Sequence, residues 1–404
     1  MTKTRNYKFR LYPNNSQEHK LQNNLAVCRW VYNKFVDFAK DRFVSRNDCN
    51  YYLTELKQSE DWLYNYHSKM LQAVSAQIDG AQKAKIELSK KGYKTGKLRF
   101  CRYCDYRTFT YNQTGFNLET RGDKSLLYLS KIGFIEIRQH RKIPQNSKIK
   151  QVMITKSKSE KWFACVTIDV EVPLIDIPKI SFSKSVGIDV GIRSFVYDSD
   201  GNQTPNPKNL QNMLKPLKQI QRKVSRRKKG SNNRLKSILK LQRIHEKITN
   251  KRKDFQHKLS AQYAKNCDVV FVEKLEKLNM VKNHRLAQSI LDASWGTFVQ
   301  KLEYKCKMLV DVPARNTTVI CCRCGNAVPK SLAIRIHRCV KCGLVLDRDH
   351  NASINILNKG LNIFKLPQEL RKVTLVEMPK VSMKQEDVTH TCWVIVHNNT
   401  RKEN

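Results

Sequence analysis

Residues 321–357 read CCRCGNAVPKSLAIRIHRCVKCGLVLDRDHNASINIL, and this stretch decides how the rest of the chain is understood. Cys321 and Cys324 form one C-x2-C pair and Cys339 and Cys342 a second, with residues 325–338 between them. A glycine, Gly325 or Gly343, follows each pair. A residue without a Cβ relieves the strain of wrapping backbone amides around a sulfur at that point. Two such knuckles place four thiolates in the tetrahedron of a closed zinc site. A closed site leaves no open position, so the expected zinc is structural. Three neighbours are set aside. Cys322 lies between two ligands and should point away from the metal. His337 could replace a cysteine, but four thiolates already suffice. Cys101-x2-Cys104 has no second pair nearby and reads as a chance spacing.

Directly after the second knuckle comes DRDHNASINIL. Asp349, Ala352 and Ile356 are three and four apart, so Asp349 opens a helix on the face that packs against a sheet. Asp347 is its rival, and the same helical face favours Asp349. Taken alone, Asp349 could be an N-cap. Further back, VVFVE at 269–273 is an unbroken apolar run ending in Glu273. Such runs suit a strand buried on both faces, and its C-terminal end is where α/β sheets place their ligands. Earlier still, VGIDVGIRSF at 186–195 puts Val186, Ile188 and Val190 on one strand face and Asp189 on the other. Gly187 and Gly191 flank Asp189 at ±2, which is expected to let a metal and a phosphate backbone approach closely. Together, two strand-end acids and a helix-start acid can converge. Two divalent ions about 4 Å apart would there activate water and stabilise the leaving oxygen of a phosphodiester. Hard oxygen ligands suit Mg²⁺ or Mn²⁺.

The charge balance agrees with a polyanionic partner. The 404 residues carry 76 Lys and Arg against 35 Asp and Glu, a formal charge of +41. A heteroduplex of about 20 base pairs carries roughly 40 phosphates, an excess of the same order. Hydrophobic residues are 40 % of the chain, enough for a real if lean core. The polar, basic start MTKTRNYKFR is no secretory signal, and no run of 18 apolar residues occurs, so no membrane partner is expected. The 13 cysteines are expected as thiols or metal ligands of a cytoplasmic, nucleoid-associated protein.

Along the chain, YKFRLY at 7–12 alternates as a strand with Lys8 and Arg10 on its basic face. Ser16 is placed to cap a following helix, and helical patterning runs to about residue 92. Residues 108–172 hold short β-like runs, including 109–111, 126–129, 134–137, 151–154 and 162–169. The linker VPLIDIPKISFSK, with two prolines, marks a boundary near 180. Two strands and a DSDGN turn precede one long basic helical stretch from about 209 to 266. Its basic residues cluster in 222–229, where Arg226 and Arg227 join Lys8 and Arg10 as expected nucleic-acid contacts. A helix from about 286 to 310 presents Leu291, Trp295, Phe298, Val299 and Leu302 as core.

GIDVGIRSF, VVFVEKL and CGLVLDRDHNASINIL, with the C-x2-C pairs before the last, resemble the three RuvC-like nuclease motifs and zinc ribbon of the transposon-encoded TnpB (OrfB) proteins. YKFRLYPNNSQ, LYLSKIGFIEIRQHR, SRRKKGSNNRLK and NKRKDFQHKLS extend the resemblance to about residue 358. Two departures stand out: Lys-Leu-Glu follows Glu273 where Asp-Leu-Asn is usual, and Cys322 replaces a small polar residue. The resemblance implies a multidomain chain, α/β plus α+β. Residues 1–13 would be the first strand of a wedge-like β-domain, 14–107 a helical recognition insert and 108–180 the rest of the β-domain. An RNase H-like (RuvC) nuclease domain would follow at 181–316 and 346–360, split by a zinc ribbon at 317–345, with 361–404 a partly disordered tail.

It further implies a guide RNA as cofactor and partner, and cleavage of target double-stranded DNA beside a short transposon-adjacent motif. Asp189, Glu273 and Asp349 carry over as the magnesium-binding catalytic acids, and monomer or dimer stays open. Two alternatives belong to other classes: a catalytically silent RNA-guided DNA-binding regulator, which loss of an acid would mark, and a transposase or transposition accessory protein, which the ribbon and insert fit less well.

Overall fold

The computed structural model describes residues 2–40, 42–144, 147–171, 180–275, 277–331 and 333–365. Most of the 172–184 linker and the tail from 366 onward lie outside the described residues. The chain forms two compact units, Met1–Ser181 with Pro207–Asn266 and Lys277–Lys307, and Phe182–Asn206 with Cys267–Glu276 and Met308–Asn404. The stretch 181–316 therefore contributes to both.

In the first unit, strand β1 (Thr2–Tyr12) leads into helices α1 (Asn15–Phe38), α2 (Arg46–Ser59), α3 (Ser68–Gln72) and α4 (Ser75–Lys90). Strands β2 (Thr108–Asn112), β3 (Phe116–Arg121), β4 (Lys124–Leu129), β5 (Gly133–Arg138), β6 (Ser147–Lys156) and β7 (Trp162–Glu171) follow. All seven strands make one sheet in the order β2-β6-β7-β1-β5-β4-β3. β1 runs antiparallel to β7 from Thr2↔Glu171 to Leu11↔Trp162, and to β5 on its other side. Its alternation explains this central place: Phe9 and Leu11 are buried in the core with Leu21, Leu25 and Phe35 of α1. Lys8 and Arg10 take the opposite face. The cap of α1 differs from the sequence expectation. Asn14, not Ser16, accepts from Gln17 N at 2.8 Å, and the Gln17 side chain accepts from Asn14 N at 3.1 Å. This Asn-x-x-Gln box satisfies two exposed donors at once, and it leaves Ser16 inside the first turn.

The same unit holds α5 (Asn209–Asn212), α6 (Leu214–Arg226), α7 (Asn232–Asn266), α8 (Lys277–Val281), α9 (His284–Ala293) and α10 (Trp295–Lys305). The expected single basic helix is thus broken at 227–231, where Arg227 staples the turn through Asn233 O and Ser237 Oγ. The expected helix from 286 is broken too, at Ser294 with φ +52°. The break shifts the helical phase. Trp295, Phe298 and Leu302 reach the core, whereas Leu291 is 61 % exposed.

The second unit is built on a five-stranded sheet of β8 (Ser185–Val190), β9 (Ser194–Asp198), β10 (Gln203–Pro205), β11 (Val269–Lys274) and β12 (Met308–Pro313), in the order β10-β9-β8-β11-β12. β10, β9 and β8 run antiparallel; β8, β11 and β12 run parallel. Val269–Val272 are fully buried between two partner strands. A short ribbon, β13 (Ile336–Arg338) with β14 (Val345–Asp347), runs straight into helix α11 (Arg348–Ile363), which packs across β8 and β11. A mixed sheet with a helix laid on it and a ribbon inserted before that helix is the layout expected of the RNase H-like reading.

Two close approaches fix the helix on the sheet. A Cβ at Gly187 would stand 2.3 Å from Ser353 O and 2.6 Å from Leu357 N. One at Gly360 would stand 2.1 Å from the Phe271 ring. Gly187→Ala should therefore lower stability by at least about 2 kcal/mol, because backbone has no rotamer with which to yield. A melting temperature equal to wild type would contradict this packing.

Candidate active site and zinc ribbon

The register of β8 and β11 builds the first half of the site. Ile188 pairs with Val272, so the next residues, Asp189 and Glu273, leave the ends of adjacent parallel strands side by side. Gly187 and Asp189 share a strand face, and Gly187 is where α11 sits down. Asp189 and Glu273 therefore face the helix, and Asp349 lies in its first turn. Asp347 and Asp349 take different places at the helix start. Asp347 is the N-cap, accepting from Asp349 N at 2.8 Å and His350 N at 3.4 Å. That leaves the Asp349 carboxylate to Arg348 Nε at 3.4 Å and Arg335 Nη1 at 3.7 Å.

The Asp189 carboxyl feels the charges of the other acids. Asp189 keeps part of its surface open while protein packs densely around it. Its carboxyl is raised well above the usual range, first by burial, then by Glu273 and Asp349 and less by Asp347, with Arg348 pulling the other way. Glu273 is raised by burial, against a hydrogen bond from Thr317 and the charge of Lys359. Two strand-end acids and one at a helix start are a chemically suitable donor set for Mg²⁺ or Mn²⁺. They do not all close to within 4.8 Å of one another; among the described residues only the four cysteines do.

Those cysteines are Cys321, Cys324, Cys339 and Cys342. Their sulfurs approach to 3.7 Å (Cys321–Cys342) and 3.5 Å (Cys324–Cys339). Gly325 and Gly343 both take positive φ, +73° and +74°, and close matching turns: Gly325 N donates to Cys321 O and Gly343 N to Cys339 O, each at 2.9 Å. Backbone N–H groups of Cys342 and Lys341 pull the Cys339 thiol down to about 6, whereas burial raises that of Cys321. The donor set and its closure fit zinc. Cys322 lies outside the cluster, its N–H given to Asn351 Oδ1 at 3.0 Å. His337 is fully buried beside Lys330 and also outside it. Cys101 and Cys104 belong to the first unit.

The ribbon is tied to the acids by residues that sequence reading missed. Asn351 Nδ2 donates to Ile320 O at 2.8 Å, and Asn355 Nδ2 to Thr317 O at 2.8 Å. The signal was available. Residues 351–357 of α11 are all buried, so its asparagines had to find partners. The flanking-glycine argument, by contrast, needs correction. Gly187 admits α11, not a phosphate backbone, and a Cβ at Gly191 would meet Ser194 O at 2.9 Å.

The basic residues fall in the first unit. Lys8 Nζ lies 4.3 Å from the Phe163 ring centre and the Arg10 guanidinium 5.2 Å from it. Both line a groove with Arg138, His140, Lys158 and Lys253. Arg226 is exposed, while Arg227 is occupied in its own turn.

With this geometry in hand, known proteins are informative. The OrfB_IS605 family model, described as a probable transposase, matches residues 165–284. The Cas12f1-like TNB domain model matches 295–356, and the HTH_OrfB_IS605 helix-turn-helix domain model matches 1–48. A Streptomyces pristinaespiralis protein named as an RNA-guided DNA endonuclease is 30 % identical over 373 residues, 88 % of this chain and 89 % of its own. InsQ of Escherichia coli K12, of the same description, is 28 % identical over 388 residues, 89 % and 93 %. Among solved structures, a Cas12f1 chain from a complex with sgRNA and target DNA superposes with TM-score 0.50 at 14 % identity, covering 89 % of this chain and 99 % of that one. The mini-RNA-guided endonuclease Cas_phi3 gives TM-score 0.50 at 8 % identity, covering 89 % and 92 %. These two structures speak to the fold alone. No described helix is long and apolar enough to cross a membrane.

Proposed function

Since the chain belongs to the TnpB (OrfB) family of RNA-guided DNA endonucleases, we propose that it cuts double-stranded DNA selected by a guide RNA, beside a short adjacent motif. The catalytic half is supported by Asp189 and Glu273 leaving adjacent parallel strands side by side and by the charge of Asp349, in the first turn of α11, acting on Asp189. These residues would hold one or two Mg²⁺ or Mn²⁺ ions, which supply an activated water and neutralise the leaving oxygen. The protein's part is orientation. Adjacent strands fix Asp189 and Glu273, the cap at Asp347 aims the first turn that carries Asp349, and Arg348 and Arg335 restrain its carboxylate. The cysteine cluster would hold structural zinc and keep residues 317–345 folded. In domain terms, the second unit is the RuvC-like part and the seven-stranded sheet is the wedge-like part, with α1–α4 as the recognition insert.

The guide-RNA half is supported by charge. Lys8 and Arg10 share an aromatic-floored basic groove, suited to phosphate with a base against Phe163. Changing both to alanine should weaken RNA binding at least about tenfold and lower the slope of log affinity against log salt by roughly 1–2. Anisotropy titrations at several salt concentrations read this, and an unchanged slope would remove both residues from the interface. The whole reading is tested by incubating protein purified with its co-expressed RNA, a matching plasmid and Mg²⁺. Tight guided binding without cutting would sink it.

A further inference from the structure

The segment joining β12 to the first knuckle supplies neither an acid nor a zinc ligand, yet it touches the supports of both. Thr317 within it is 2 % exposed. Its hydroxyl donates to Glu273 Oε1 and has the Ala314 carbonyl 3.2 Å away as its other acceptor. One hydroxyl carries one proton, and of the two acceptors the carboxylate is the nearer and can be charged, the stronger arrangement. The Thr317 carbonyl is itself held by Asn355 Nδ2 at 2.8 Å, and the same amide reaches Ile320 O at 2.6 Å. The segment is thereby pinned to α11 at Thr317 and at Ile320. Glu273 needs such a hold, because a glutamate at a strand end has three side-chain torsions to settle.

We propose that Thr317 is the positioning residue for Glu273, and that the segment from Ala314 to Ile320 is a crosspiece setting two acids together. It sets Glu273 through the threonine side chain and Asp349 through main-chain bonds to Asn351 and Asn355. The proposal rests on Glu273 being a metal-binding acid. Groups that orient a metal ligand typically change metal affinity 10–100-fold when removed.

The test uses the full chain with its co-expressed RNA. Bound Mn²⁺ is measured by electron paramagnetic resonance, counting only the portion that Asp189→Ala removes. Thr317→Val should weaken that binding at least about tenfold, with zinc content and melting temperature close to wild type. Thr317→Ser, which keeps the hydroxyl, should restore it. The role is overturned if Thr317→Val binds as wild type does. It is equally overturned if both variants lose zinc and melt early, which marks a merely structural residue. If Asp189→Ala removes no Mn²⁺ at all, the metal reading of the acids falls, and the role of Thr317 with it. A wild-type site intact beside an unaffected Thr317→Val overturns the role of Thr317 alone.

Discussion

Asp189→Ala should abolish DNA cutting, by at least about a thousandfold, while guided binding survives. The magnitude follows from the work assigned to the acids: when metal chemistry supplies both nucleophile and leaving-group stabilisation, loss of a shared ligand removes several kcal/mol of transition-state stabilisation. Binding should survive because the basic groove belongs to the first unit, as do Lys8, Arg10 and Arg226. Cleavage of a labelled duplex and binding of the same duplex, measured on one preparation, separate the two effects. Equal loss of both would mean that Asp189 supports the fold instead.

The same variant carries a signature in stability. Burial and the neighbouring Glu273 and Asp349 raise Asp189 well above the ordinary carboxyl range. A folded-state value above the unfolded one favours folding below the unfolded value, and that contribution is lost as pH rises through the folded one. Above the unfolded value and without divalent metal, this buried carboxyl therefore works against the fold. Asp189→Asn should melt higher than wild type under those conditions, and added Mg²⁺ should stabilise wild type but not the variant, since a ligand bound only by the native state raises its stability. Differential scanning with and without Mg²⁺ reads both, and wild type melting above Asp189→Asn in chelator would contradict the crowding of charge.

How much of this was legible beforehand divides by physical range. The four cysteines and the run ending in Glu273 speak locally, through spacing and apolar continuity, and the folded chain places them as patterns of their kind dictate. The helix beginning near Asp349 was equally plain, but which aspartate capped it was not. That choice depends on a backbone angle at Asp347, not on side-chain period. Ser16 lost its cap to Asn14 for a related reason: a box with Gln17 outbids a single hydroxyl. The breaks at 227–231 and Ser294 were hidden because basic and apolar periodicity continues across them. Gly187 has a cause other than the one its spacing suggests. It is α11, about 170 residues downstream, and no local pattern announces a helix arriving from that distance. Thr317 was invisible for the same reason, since its importance lies in a contact with β11.

Removing zinc should cost the protein both its ribbon and its chemistry. Thiolates gathered within 4.8 Å repel one another unless a cation sits among them. A ribbon with only three-residue strands, β13 and β14, has little other reason to stay folded. Structural zinc in small motifs contributes about 10 kcal/mol or more toward folding, far beyond what this hairpin can replace. The loss cannot stay local. Asn351 holds the first knuckle through Cys322 N and Ile320 O, Asn355 holds Thr317, and β14 continues directly into α11. When the ribbon melts, the first turn of α11 loses its anchors, and Asp349 moves off the edge that Asp189 and Glu273 occupy. Cys339→Ser, or full chelation, should therefore lower cutting at least about a hundredfold while hydrogen exchange rises across residues 320–350, and exchange in the seven-stranded sheet should not change. Zinc restored to the chelated protein should recover activity; zinc added to Cys339→Ser should not. Activity and exchange protection that persist after complete zinc removal would show that the cluster braces nothing.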